Sequence, residues 1–310
     1  MPIVAGAGLS YSPLLYRSRD AWPQVAQLLR GDAIQPRRAA DEDAALLDGY
    51  AARIADALGT LDRHIASAAL DALILITADR GSQFDVANVP QLHLLSGGEA
   101  WGDPALTALG EAPRRTSFAC EGPVAALLLE ELVRAGFDVA EGKDVFAPQG
   151  DPAQGVTPAA VEAIARLAGG LPIIPISINC HVAPLIPGKR LLRFGEALAA
   201  AAALTDKRVG LLVSGGLSGE PGGAMAGWID DIFDRWLLAR IERGQAADIA
   251  RAWALPSRNL LAGTAEARLW MTAAAAFERA GCRARVHDYL AVHHAAAGLG
   301  FVTWEDGTCR

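Results

Sequence analysis

Apolar residues follow two rhythms along the chain. Short, almost wholly apolar runs stand at Leu73–Ala78, Ile173–Ile178 and Val209–Val213, with a weaker one at Ile3–Ala5. Runs this short and continuous, closed by turn residues, predict central strands buried on both faces. Longer Ala- and Leu-rich stretches between and after them predict helices. These cover Asp41–Ala69, Pro123–Ala135, Thr157–Leu167, Lys189–Ala203, Trp228–Arg243, Ala246–Ala254 and Thr264–Ala280. The alternation predicts an α/β fold whose central, mostly buried sheet is flanked by helices. No linker composition interrupts the chain, so one domain over residues 1–310 is expected. The Gly-, Pro- and Asp-rich stretch Gly142–Gly155 reads as a functional loop.

Composition removes several function classes. An apolar content of 52% is ample for a packed core and excludes a disordered chain. A net charge of −7 without any basic run leaves no electrostatic footprint for nucleic acid. Leu167–Gly188 carries no charge and is long enough to cross a bilayer. Four prolines, Asn179 and His181 interrupt it, so it reads as a buried strand followed by a loop. The N-terminus shows no basic stretch of the signal-peptide kind. With Cys120, Cys180, Cys282 and Cys309 scattered, free thiols in a cytoplasmic protein are expected.

Candidate chemistry collects where strands give way to loops. These are Gly8–Leu14, Thr77–Phe84, Ile178–Pro184 and Val213–Pro221, together with the loop around Gln154. Ligands of α/β sheets bind at the carboxyl ends of strands, so these loops are expected to meet at one crevice. A phosphate reading of the glycines is poor. Gly6-Ala-Gly8-Leu-Ser-Tyr11 misses the last glycine of the dinucleotide fingerprint, and no P-loop lysine follows any glycine run.

The ordered motifs give the chain a resemblance. LSYSPL (9–14), ADRGSQFD (78–85), IIPISIN (173–179) followed by GKRLLRFGEAL (188–198), SGGLSGEP (214–221), FDRWLL (233–238) and EARLW (266–270) run in the order of similar motifs in one family. Together they make the chain similar to the class III extradiol ring-cleavage dioxygenases. That group includes the catalytic subunits of protocatechuate 4,5-dioxygenase and the dihydroxyphenylpropionate dioxygenases. The likeness runs from about residue 5 to residue 305. It implies an α/β fold, an oligomer, and Fe(II) held by two histidines and a glutamate, with two further histidines as acid/base groups.

The residues at those positions depart from the pattern. The resemblance places the two iron-ligand histidines at Tyr11 and Arg80 and the ligand glutamate at Glu266. It places the acid/base histidines at Gln154 and Gly219. A guanidinium has no lone pair to give a metal and stays protonated. Arg80 beside Glu266 would instead supply the charge a metal brings. A metal-free pocket held by an Arg80–Glu266 bridge, with Tyr11 beside it, is therefore expected. Six histidines exist elsewhere, and His181, just past a strand end, is the best substitute ligand. Blander readings stand beside these: Tyr11 as filler of the space a metal left, Arg268 as a solvated charge, and Cys180 as a small buried hydrophobe.

Three functions stay open on the sequence. The first is a non-catalytic family member, such as an inactive partner subunit of an active dioxygenase paralogue, with no cofactor. The second is a metal-independent enzyme acting on an aromatic or ring-opened carboxylic acid through Tyr11 and Arg80. The third is Fe(II)-dependent ring cleavage with substitute ligands. The partners to expect are an active paralogue or further copies of the chain, and a small aromatic acid as ligand. No nucleic acid or membrane is expected.

Overall fold

A computed structural model describes residues 3–84, 86–145, 155–252 and 263–307. Its centre is four parallel strands: β1 (Ala5–Leu9), β2 (Ala72–Thr77), β7 (Ile173–Ile178) and β8 (Val209–Ser214), lying in the order β7-β2-β8-β1. The apolar runs form them because both faces are covered, so no polar alternation survives. On one side β3 (Leu92–Leu95) pairs antiparallel with β7 and carries the short β6 (Ala140–Gly142). On the other, the long antiparallel pair β9 (Cys282–Val292) and β10 (Ala297–Asp306) closes the eight-stranded sheet against β1. A separate two-stranded ribbon joins β4 (Glu99–Gly102) to β5 (Thr116–Ala119).

Helices cover both faces. The expected helices appear as α2 (Ala44–Ser67), α3 (Gly122–Arg134), α4 (Pro158–Leu167), α5 (Gly188–Ala202), α6 (Asp231–Glu242), α7 (Ala246–Ala252) and α8 (Ala267–Ala280). The sequence pattern missed α1 (Trp22–Arg30). From Ala267 to Phe277 every residue of α8 is buried, so this helix lies inside the core between the sheet and α5. Gly195 of α5 permits that approach, since a Cβ there would stand 2.2 Å from the Thr272 carbonyl oxygen.

Two expectations change. The first strand is Ala5–Leu9 and not Ile3–Ala5. Its alternate glycines disguise it. A Cβ at Gly6 would meet the Phe277 ring at 2.3 Å, and one at Gly8 would meet the Trp270 ring at 2.8 Å. The strand stays bare on that face so that aromatic rings of α8 can lie on it. The β9–β10 pair went unread because β9 alternates charged and small residues and lies at the sheet edge. Among the described residues, no helix is long and apolar enough to cross a membrane. The Leu167–Gly188 stretch becomes the end of α4, strand β7 and the loop after it.

Candidate functional site

Because β1, β2, β7 and β8 run parallel, their carboxyl ends reach one side of the sheet together. Tyr11, Arg80, His181 and the Gly215–Gly219 loop follow those four ends, and Glu266 stands just before α8. Parallel topology, with the start of α8, thus delivers residues far apart in sequence to one crevice.

Glu266 is the hub, 3% exposed. Its Oε2 accepts the Gly216 backbone N–H at 2.7 Å. Its Oε1 takes His181 Nε2 at 2.8 Å and the Arg80 Nε–H. Burial alone would raise this carboxyl, but the Arg80 charge and the His181 bond outweigh it and hold the group well below the usual carboxylate range. Arg80 responds in kind: burial lowers its pKa, and Glu266 more than restores it. The bridge expected from the sequence is therefore present in the geometry.

Local chemistry sets each partner. Arg80 lies in the left-handed region at φ 54°, in a turn that the Asp79 carboxylate holds by accepting the backbone N–H groups of Gly81, Gln83 and Phe84. His181 sits in a loop where Asn179 Oδ1 accepts the backbone N–H of both His181 and Val182. The Gly215-Gly216 pair lets the β8 loop come up to the carboxylate, since a Cβ at Gly215 would stand 2.8 Å from Glu266 Oε2. Arg80, His181, Glu266 and Gly219 line one cavity of about 640 Å³, with Phe84 and Pro90 among its apolar wall.

Tyr11 stands beside this group, with its backbone N–H on the Gly216 carbonyl and its phenol near enough to act on the Arg80 charge, but its side chain is bonded elsewhere. Its hydroxyl donates to Glu162 Oε2 at 3.0 Å, and it is not among the cavity-lining residues. Glu162, on α4, is in turn paired with Arg17, which also donates to Glu111. Burial pushes the Glu162 carboxyl up to about 7 against the pull of Arg17. Burial and Glu162 also drive the Tyr11 phenol well above its ordinary value. The sequence carries one signal for this network, a lone carboxylate within the apolar run Ala159–Ile164.

Gly219 is closed to any side chain by its surroundings: a Cβ there would stand 2.4 Å from the Ala296 carbonyl oxygen. Gln154 lies outside the described residues. Arg268 is buried and not solvated, because α8 has no solvent face at that point; its Nη1 donates to the Ala265 carbonyl. Cys180 is fully buried, and burial raises its thiol far above the usual range, which fits a packing role. His293 and His294 serve a second loop, where Glu42 accepts both of their backbone N–H groups.

An iron centre of the kind the resemblance implies needs three donors on one open face. Of the positions concerned, one holds a guanidinium, and another a phenol committed to Glu162. Both oxygens of Glu266 are already engaged by hydrogen-bond donors. Among the described residues there is no group of three or more His, Cys, Asp or Glu side chains placed to hold a metal. The residues present do not fit the iron.

Comparison with known proteins agrees with the fold. Residues 163–300 match the family described as the catalytic LigB subunit of aromatic ring-opening dioxygenase. Two similar proteins are both named 2,3-dihydroxyphenylpropionate/2,3-dihydroxicinnamic acid 1,2-dioxygenase. The one from Pseudomonas putida is 31% identical over 56% of this chain and 54% of its own length. The one from Klebsiella pneumoniae is 29% identical over 58% of this chain and 52% of its own length. A third, from Rhodococcus rhodochrous, is 46% identical over 17% of each chain. The chain therefore spans at most about half the length of these curated relatives in any match.

Proposed function

We propose that the chain is a member of the class III extradiol dioxygenase family, on the match of residues 163–300 and the partial likeness to named dioxygenases, and that it is a member that does not carry out iron-dependent ring cleavage. The observation that carries this reading is the Arg80 guanidinium on the Glu266 carboxylate. The one carboxylate ligand position retained from the family pattern is neutralised by a residue of the chain itself. In this reading the protein is the inactive partner of an active paralogue, or assembles with copies of itself. Its cavity is of the size that small-molecule sites have and takes a small aromatic acid. Exposed Ile34, Trp228 and Ile232 supply apolar surface for a partner to cover; the Trp228 indole donates to the Ile34 carbonyl and so holds two of them together. Unpaired Cys120, Cys180 and Cys282 accord with a reducing, cytoplasmic setting.

A metal-independent reaction using Tyr11 draws less support, because the Tyr11 hydroxyl is bonded to Glu162. The test is oxygen uptake with 2,3-dihydroxyphenylpropionate after anaerobic Fe(II) loading. The expected result is no uptake above the protein-free rate, with no yellow ring-opened product. Sustained turnover would overturn the proposal.

A further inference from the structure

We propose that Arg80 acts as a built-in counter-cation that excludes divalent metal from a two-ligand site formed by Glu266 and His181, so that loss of its guanidinium alone opens that pair to a metal ion. The inference rests on the iron-free reading above and deepens it by naming the residue responsible.

The geometry comes first. Arg80 Nε and His181 Nε2 converge on the same oxygen, Glu266 Oε1. The His181 nitrogen stands 2.8 Å from that oxygen. Two ligands at right angles on a metal, with bonds of about 2.1 Å, lie about 3.0 Å apart. The pair is therefore already spaced as adjacent ligands, and a hydrogen bond now spans the gap a metal would bridge.

Support and access are also in place. Outer hydrogen bonds that fix the orientation of ligands strengthen a metal site. Here the Gly216 N–H fixes Glu266 Oε2, and Asn179 fixes the His181 loop. The His181 side chain is 38% exposed and lines the 640 Å³ cavity, which supplies an entry path and room for water ligands. What opposes a cation is charge. A buried carboxylate that stays ionised needs a counter-charge, and Arg80 supplies one that cannot be deprotonated or titrated away. Arg268, buried in the first turn of α8, stays in every variant and so does not distinguish them.

The test titrates Co(II) into wild-type protein, Arg80→His, Arg80→Gln and the double variant Arg80→His/His181→Ala, followed by visible absorption, with Zn(II) in competition. Arg80→His is expected to bind one Co(II) per chain at least tenfold more tightly than wild type. Arg80→Gln should also bind more tightly than wild type. Removing His181 should weaken the Arg80→His site by about tenfold or more. Folded Arg80 variants that bind no better than wild type, or a site indifferent to His181, overturn the inference. A variant that unfolds in metal-free buffer should refold with Zn(II), and failure of that rescue overturns it equally. Wild type that takes up iron and cleaves catechols defeats the iron-free reading. Wild type and variants that all stay metal-free defeat the present inference alone.

Discussion

Glu266 and Asp234 are both buried carboxylates on the same side of the molecule, and they are stabilised in opposite ways. Glu266 meets a full cation in Arg80 and an imidazole in His181. Asp234, on α6, meets only neutral donors: the Ser218 backbone N–H at 3.0 Å, the Ser218 hydroxyl at 2.6 Å and the Tyr289 hydroxyl at 2.8 Å. Burial dominates for Asp234, and its carboxyl is pushed up to about 7. Glu266 is held ionised well below its ordinary range. Asp234 ties the SGGLSGEP loop to α6 and β9, which is structural work. Glu266 keeps a permanent charge pair at the floor of a cavity. Both carboxylates are buried, so the difference between them lies in the charge of their partners.

The sharpest way to break the comparison is to remove the hub. Glu266→Ala leaves Arg80 without its anion and should cost about 3–5 kcal/mol of stability by urea unfolding. A cost under 1 kcal/mol would show that solvent already screens the pair. The pH dependence separates the two sites next. Asp234 has a folded value of about 7 and an unfolded value of about 3.9. Its contribution is complete below the unfolded value and drains away as pH rises through 7, by on the order of 1 kcal/mol per pH unit crossed. Glu266 behaves oppositely, contributing fully above its unfolded value and losing that only in strong acid. Asp234→Asn should accordingly flatten the stability profile between pH 5 and 7, while leaving the strongly acidic limb unchanged; thermal unfolding across pH measures both.

Smaller effects sharpen the picture. Gly219→His restores the residue type the family pattern has there, but its Cβ meets the Ala296 carbonyl oxygen. It should destabilise by about 2 kcal/mol and restore no activity. Tyr289→Phe removes one neutral hydrogen bond to Asp234 and should cost about 1 kcal/mol.

Legibility in the sequence follows a physical rule. Strands β2, β7 and β8 were legible because both of their faces are buried, so the apolar run is continuous. The bounds of strand β1 are not legible, because its place is set by rings on α8, which the local sequence Ala5-Gly6-Ala7-Gly8-Leu9 does not reveal. At the site, Arg80 and Glu266 stand out through their places in recognisable motifs; the end of β2 carries Arg80 to the crevice, and the start of the buried helix α8 carries Glu266 to meet it. The partner of Tyr11 lies 151 residues away on α4, and no spacing rule links the two. Burial of Arg268 is not legible, because a charged residue in a helix normally signals a solvent face, and α8 has none there.

The central claim is that Arg80 occupies the charge position of a metal. Elemental analysis of wild-type protein after anaerobic Fe(II) loading and desalting tests it most directly. The expected result is iron far below one atom per chain, unchanged by the loading. One tightly held iron per chain would contradict it, and would require Arg80 to leave Glu266.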